Sequence, residues 1–262
     1  MHMDKLKITE YLNRINYKGV LKPNFEVLKE LQKCHLLSVP FENLDIHYKR
    51  PIELDNTKFY KKIVINNRGG FCYELNGLFH TLLNNLGFKS KIVSARVYDS
   101  KKKIFGNEYD HLAIIVELDQ NEYLVDVGFG EFAFYPLKLI PNEIQKDPRG
   151  CFIVEKINEG LSVSQINGDV KNIQYKFTTE CRELNEFQEM CDYHQTNPNS
   201  HFTEKKLISK PTNCGRVTLT GNTLKIIENH IIKENIEFQI EEYARQLDKW
   251  FEIDEEEIKA SR

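Results

Sequence analysis

HLAIIVELDQNEYLVDV, residues 111–127, places two short apolar runs on either side of a polar break. The runs, 111–117 and 123–127, have the length and branched-residue content of buried strands, and the break between them has turn chemistry. Besides Glu117 at the edge of the break, a core sheet must accommodate two polar residues: His111 heads the first run and Asp126 interrupts the second. An unpaired carboxylate in such a run costs several kcal/mol, so each residue is expected to supply the other's missing partner. Register decides whether they meet. A tight turn centred on Gln120-Asn121 would pair Ile115 with Asp126 and leave His111 about 13 Å away at ~3.4 Å per residue. A four-residue loop over 117–120 would instead set His111 opposite Asp126. Both registers keep the two side chains on one face, because the side-chain period is two. The longer loop, or a bulge with the same effect, is predicted.

Working outward, further strands are expected at 91–97, 151–156 and 173–177, separated by Gly, Asn, Asp and Pro clusters, which makes 91–190 a predominantly β unit, a barrel or a sandwich. Residues 1–90 read as a helical subdomain. Ile8, Tyr11, Leu12 and Ile15 repeat at helical spacing, and Phe25, Leu28 and Leu31 follow a Pro23-Asn24 start signal. Leu75, Leu78, Phe79, Leu82, Leu83 and Leu86 mark a third helix that Gly87 should close. Residues 191–262 read as a polar connector (195–200), strands at 216–220 and 224–227, and a final helix with Ile240, Tyr243, Ala244, Leu247 and Phe251 on one face. The fold class is α+β.

The third helix begins in a run, 68–76, that carries chemistry. Gly69-Gly70 permits a tight turn and delivers Cys72 to the first helical turn, where unsatisfied N–H groups favour a negative charge and hence a thiolate. Two readings fit a cysteine there. Cys72 lies on the apolar stripe with Leu75, Phe79 and Leu83, as a packed core residue would; or it is a nucleophile, with His111 as its base and Asp126 as the group that orients the base. His35, His47 and His80 have the surroundings of structural or solvated residues. Glu42 and Arg68, charged residues close to these motifs, are expected to pair.

Composition bounds the partners. The chain has 262 residues and a net charge of −3 with His neutral, a balance that argues against a nucleic-acid surface. The basic run Lys101-Lys102-Lys103 reads as a solvated loop. No stretch has the ~18 consecutive apolar residues of a membrane span, and no secretory signal is evident, so a cytoplasmic protein is expected. Met1-His2 ahead of Met3 reads as a remnant outside the constraint of the fold. The six cysteines include no CxxC pair, so free thiols are expected; Cys191, His194 and His201 lack a second ligand set, so no metal is expected.

Together the segments Val39-Pro40-Phe41-Glu42-Asn43-Leu44, 68–76, the strand from His111, and Leu124-Val125-Asp126-Val127-Gly128-Phe129-Gly130 resemble the arylamine N-acetyltransferase family. Weaker similarity continues through 195–202, where Asn197 departs from the serine usual before the proline. The resemblance implies a helical first domain, a β-barrel second domain and an α/β lid, with a papain-like Cys-His-Asp core. It implies a ping-pong reaction in which Cys72 takes an acetyl group from acetyl-CoA and passes it to an arylamine, arylhydrazine or arylhydroxylamine. It places Phe41 and Phe129 in the acceptor pocket and Gly130, Tyr193 and Asn199 at CoA. A monomer or weak homo-oligomer is expected. Three other readings share the triad or scaffold: a macrolactam-forming amide synthase, a thiol hydrolase, and a catalytically silent binding domain. The local cysteine signature of papain-like peptidases is absent.

Overall fold

The computed structural model describes residues 3–260, so the reading of Met1-His2 lies outside the described residues. Helix α1 (Lys5–Arg14) starts at Asp4, whose carboxylate accepts the Lys7 N–H at 2.9 Å. Helix α2 (Phe25–Ser38) starts at Asn24, whose side chain accepts the Val27 N–H at 3.0 Å, as its Pro-Asn signal anticipates. A two-residue strand, β1 (Phe41–Glu42), and short helices α3 (Leu44–His47) and α4 (Asn56–Tyr60) follow, and α4 runs through a π-helical turn (Lys61–Ile65) towards α5 (Cys72–Asn85). Gly87, at φ +88°, closes α5 in the left-handed conformation expected there. Leu75, Leu78, Phe79, Leu82 and Leu83 pack with Tyr11, Leu28, Leu31 and Phe59, and with Ile114, Val116 and Val125 of the adjoining sheet.

That sheet is antiparallel and nearly closed. It comprises β2 (Lys89–Asp99), β3 (Ile104–Phe105), β4 (His111–Leu118), β5 (Asn121–Val125), β6 (Leu137–Lys138), β7 (Ile144–Asp147), β8 (Gly150–Ile157), β9 (Gly160–Asn167) and β10 (Val170–Phe177), in the order β6-β5-β4-β2-β10-β9-β8-β7 with β3 beside β2. The Gln145 side chain spans the gap between β7 and β6, accepting the Lys138 N–H at 2.7 Å and donating to the Lys138 carbonyl at 2.8 Å. Ala113, Ile115, Leu124, Phe152, Val163 and Tyr175 fill the interior, while Ile114 and Val116 face the helices. Strand β4 is thus buried on both faces, which accounts for its unbroken apolar run.

The predicted four-residue loop between β4 and β5 is not formed. Asp119 and Gln120, at φ +48° and +62°, make a two-residue turn that pairs Leu118 with Asn121 and Ile114 with Val125. Such a turn has the twist of the strands it joins. Strand β5 ends at Val125, and continuing its register would set His111 opposite Gly128, two residues beyond Asp126. The pair therefore meets along the diagonal, on one face, across a separation that two polar side chains can bridge.

After helix α6 (Gln188–Thr196) comes a second antiparallel sheet of β11 (Leu207–Thr212), β12 (Gly215–Thr220), β13 (Thr223–Glu228) and β14 (Ile231–Glu237), with β1 of the helical part as its other edge. Helices α7 (Tyr243–Phe251) and α8 (Glu255–Ala260) pack Tyr243, Leu247, Phe251 and Ile258 onto Ile208, Leu219 and Leu224. No helix among the described residues is long and apolar enough to cross a membrane.

Candidate active site

The start of α5 is held by close backbone approach and by buried charge. A Cβ on Gly69 would lie 2.1 Å from the Pro40 carbonyl oxygen, so this glycine serves contact rather than an unusual turn. Gly70 bridges in parallel to Phe41, and its carbonyl accepts the Glu42 N–H at 2.9 Å. The Glu74 carboxylate reaches back to the Phe71 N–H at 2.7 Å and satisfies one of the open donors at the helix start.

The expected Glu42–Arg68 pair is present, with Arg68 Nε and Nη2 donating to Glu42 Oε1 at 3.0 and 2.6 Å. It belongs to a larger network. Arg68 Nη2 also donates to Asp45 Oδ1 at 2.9 Å, and Lys62 Nζ reaches Asp45 Oδ2 and Glu74 Oε2, each at 2.8 Å. Burial pushes the Glu74 carboxyl up, against the opposing pull of Lys62. At Asp45, burial is overcome by Lys62 and Arg68, which hold the carboxyl at about 2.

Around Asp126 every bond is an accepted one. Oδ2 takes His111 Nε2 at 2.7 Å and the Tyr175 hydroxyl at 2.9 Å; Oδ1 takes Asn76 Nδ2 at 2.8 Å and the Gly128 and Phe129 N–H groups at 2.9 and 3.0 Å. A carboxylate so placed fixes the proton of His111 on Nε2 and leaves Nδ1 as the ring nitrogen free to accept one. Asn76, one helical turn after Cys72, also donates to the Leu112 carbonyl at 2.7 Å and accepts the Val127 N–H at 2.9 Å, so it ties α5 to β4 and to the segment that follows β5. Gly128 lies against the helix start: a Cβ there would be 2.9 Å from Cys72 Cα.

Cys72 is only 4% exposed, as the core reading expects, but it packs with Phe71, Tyr73, Leu112, Phe187 and Cys191, a cluster separate from that of Leu75, Phe79 and Leu83. Burial pushes its thiol well above the ordinary range; the Leu112 N–H, which faces the sulfur, opposes this, while Cys191, Asp126 and Asp110 add to it. Burial, which disfavours the anion, is the largest influence on the thiol.

A model of the N-acetyltransferase family matches residues 24–259. The pineal gland isozyme NAT-3 arylamine N-acetyltransferase of Gallus gallus is 33% identical over 252 residues, covering 88% of this chain and 87% of its own. Arylamine N-acetyltransferase 1 of Homo sapiens is 32% identical, covering 84% and 82%. The chain belongs to the arylamine N-acetyltransferase family. Among solved structures, the arylamine N-acetyltransferase of M. tuberculosis superposes with a TM-score of 0.90 at 28% identity, over 97% of this chain and 96% of that one. That of Mycobacterium marinum in complex with CoA gives 0.88 at 28% identity, over 96% and 94%. Membership makes the chain an acyltransferase, of a family that acetylates arylamines.

The residues expected at the site fall into two groups. The Phe129 ring stands edge-on to His111 at 5.4 Å, and half-buried Phe41 lies 5.7 Å from Phe71 and 5.9 Å from Phe202. Gly130 follows Phe129 on the surface, and its carbonyl accepts from Arg149 and Arg216. Tyr193, on α6, sits edge-on to His194, and the N–H of exposed Asn199 donates to Asn197 Oδ1 at 2.9 Å. Asn76, Tyr175 and Phe202 were not anticipated. Asn76 had a legible signal, an amide on the apolar stripe four residues after Cys72; Tyr175 and Phe202 had none.

Gly128→Ala is expected to cost about 1–3 kcal/mol of stability by overpacking. Because its methyl would press on the backbone of Cys72, arylamine acetylation should fall at least about ten-fold, a loss equal to about 1.4 kcal/mol of barrier. Thermal melting and steady-state rates measure both effects; wild-type values would show that the 128–130 turn can withdraw from α5.

Proposed function

We propose that Cys72, His111 and Asp126 form the catalytic triad, and that the acetyl group travels from acetyl-CoA to the arylamine through a thioester on Cys72. The observation that carries this reading is the 2.7 Å bond between His111 and Asp126 in the corner where Leu112 N–H and Gly128 meet Cys72. The S–H proton of Cys72 moves to His111 Nδ1 as the sulfur attacks the acetyl carbonyl; CoA departs as a thiolate and takes the proton from the imidazolium, whose charge Asp126 stabilises. The amine then attacks the acetyl-cysteine, its proton passes to His111, and the proton returns to the Cys72 sulfur as the amide leaves. Burial of the thiol favours this concerted transfer, since a standing thiolate would be poorly solvated. Backbone N–H groups beside the sulfur, rather than a dedicated side chain, hold the developing oxyanion.

Phe41 and Phe129 line the acceptor pocket in this reading, with arylamines, arylhydrazines and arylhydroxylamines as acceptors. Phe41 packs against Phe71 and Phe129 stands edge-on to His111, which supports this assignment. Gly130, Tyr193 and Asn199 contact CoA. Initial-rate patterns test the scheme: with acetyl-CoA and an arylamine varied together, double-reciprocal lines should be parallel, and enzyme alone should release one CoA per active site. Intersecting lines without amine-independent release would refute the two-step route.

A further inference from the structure

His194 stands between the neighbours of Cys72 and the neighbour of His111. Its ring, buried on α6, lies 5.9 Å from Phe71 and 6.3 Å from Tyr73, the residues on either side of Cys72. Its Nε2 is 3.1 Å from Oδ1 of Asp110, the residue before His111, off the direction of a straight hydrogen bond. Its Nδ1 is 3.3 Å from the hydroxyl of Ser200, which is 2% exposed, so the other edge of the ring is fixed as well.

The segment that this contact holds is strained. Tyr109 has φ +64°, a left-handed conformation that a bulky residue adopts at a cost. Partners from separate elements keep it there. Ser94 Oγ on β2 accepts the Tyr109 N–H at 2.8 Å, and the Val97 N–H donates to Asp110 Oδ2 at 3.3 Å. From α5 the Tyr73 hydroxyl donates to the Tyr109 and Asp110 carbonyls at 2.9 and 3.3 Å. His194 adds the contact from α6. Asp126 thus fixes the ring of His111, while Asp110 fixes the backbone that carries it. We propose that the Asp110–His194 pair is a positioning device for catalysis: it ties α6 to the strained turn before His111 and so keeps the base in reach of Cys72. The pair itself does not touch the reacting atoms, and the inference rests on the triad reading. A displacement on the order of 1 Å at a reacting pair can cost about a hundred-fold in rate, which sets the scale of the effect.

His194→Phe retains a ring among Phe71, Tyr73 and Phe202 and removes both polar contacts. In single-turnover mixing with acetyl-CoA, its maximal rate of Cys72 acylation should fall by about ten- to a hundred-fold, while the half-saturating acetyl-CoA concentration stays within about two-fold of wild type. In an Asp110→Ala background, where no carboxylate is left to pair, the same substitution should change the rate by less than about two-fold. Asp110→Ala alone breaks the pair from its other end and should show the same loss, so the test stands even if the ring substitution unfolds the protein. A wild-type acylation rate in folded His194→Phe or Asp110→Ala protein overturns the proposal. So does a loss that appears only as weaker acetyl-CoA binding, or one that persists undiminished in the Asp110→Ala background, since each would give His194 a role apart from Asp110 and the base. If wild-type enzyme takes up no acetyl group on Cys72, the triad reading falls instead, which separates the two conclusions.

Discussion

Asp126→Asn should lower arylamine turnover about 10⁴-fold, the scale seen when the acid of a nucleophile–histidine–acid triad becomes an amide. The physical reason is the direction of one hydrogen bond. Asp126 only accepts, and it holds the His111 proton on Nε2 at 2.7 Å. An asparagine can keep Oδ1 for Asn76 and the Gly128 and Phe129 N–H groups, but it turns an N–H donor towards His111 and Tyr175. The imidazole then accepts on Nε2 and carries its proton on Nδ1, where it cannot take one from Cys72. Five donors converge on this carboxylate, so the fold should not escape: a loss of about 1–3 kcal/mol is expected from the mismatched Tyr175 and His111 contacts. Single-turnover acylation and chemical denaturation read the two effects separately; near-normal turnover would remove Asp126 from the mechanism.

Arg68→Ala should be the most damaging of the single changes to stability. Glu42 is fully buried and Asp45 nearly so, and Arg68 donates to both. Removing one partner of a buried ionic network costs about 3–5 kcal/mol, which for a chain of this size lowers the melting temperature on the order of 10 °C. Lys62 remains, 2.8 Å from Asp45 and 3.7 Å from Glu42, and sets the lower end of that range. The sign of the pH effect follows from Asp45, whose folded carboxyl lies at about 2 against an ordinary value of 3.8. A depressed folded value contributes stability above the ordinary value and loses it as pH falls towards the folded one. The wild-type protein should therefore lose this contribution between about pH 4 and pH 2. In Arg68→Ala the folded value should rise towards the ordinary one, so this acid-dependent loss should shrink; melting curves across that range measure it, and unchanged acid behaviour would mean that Lys62 alone holds Asp45.

The parts of the fold that were legible are those where a single period governs. The stripe of Leu75, Phe79 and Leu83 on α5 and the run Leu112-Ala113-Ile114-Ile115-Val116 on β4 face cores that admit no other pattern. Register was not legible, because it depends on whether Asp119 and Gln120 adopt positive φ, which neither residue type announces. Strand β9 was hidden by Ser162, Ser164 and Gln165, polar yet buried. Strand β11 was hidden by Pro211, and β14 by exposure along its whole length. At the site, Glu42 and Arg68 were legible as a pair because each is a charge beside the motifs of the cleft, where burial requires a partner. Lys62 and Asp45 were not, since charges on short helices ordinarily face water.

Intact mass spectrometry of freshly reduced enzyme after brief exposure to acetyl-CoA, without an amine, tests the chemistry most directly. One acetyl group should appear, map to Cys72, vanish on adding an arylamine, and never form in Cys72→Ser. An unmodified Cys72 in enzyme that still acetylates the amine, or an acetyl group on another residue that passes to the amine, would contradict the covalent route.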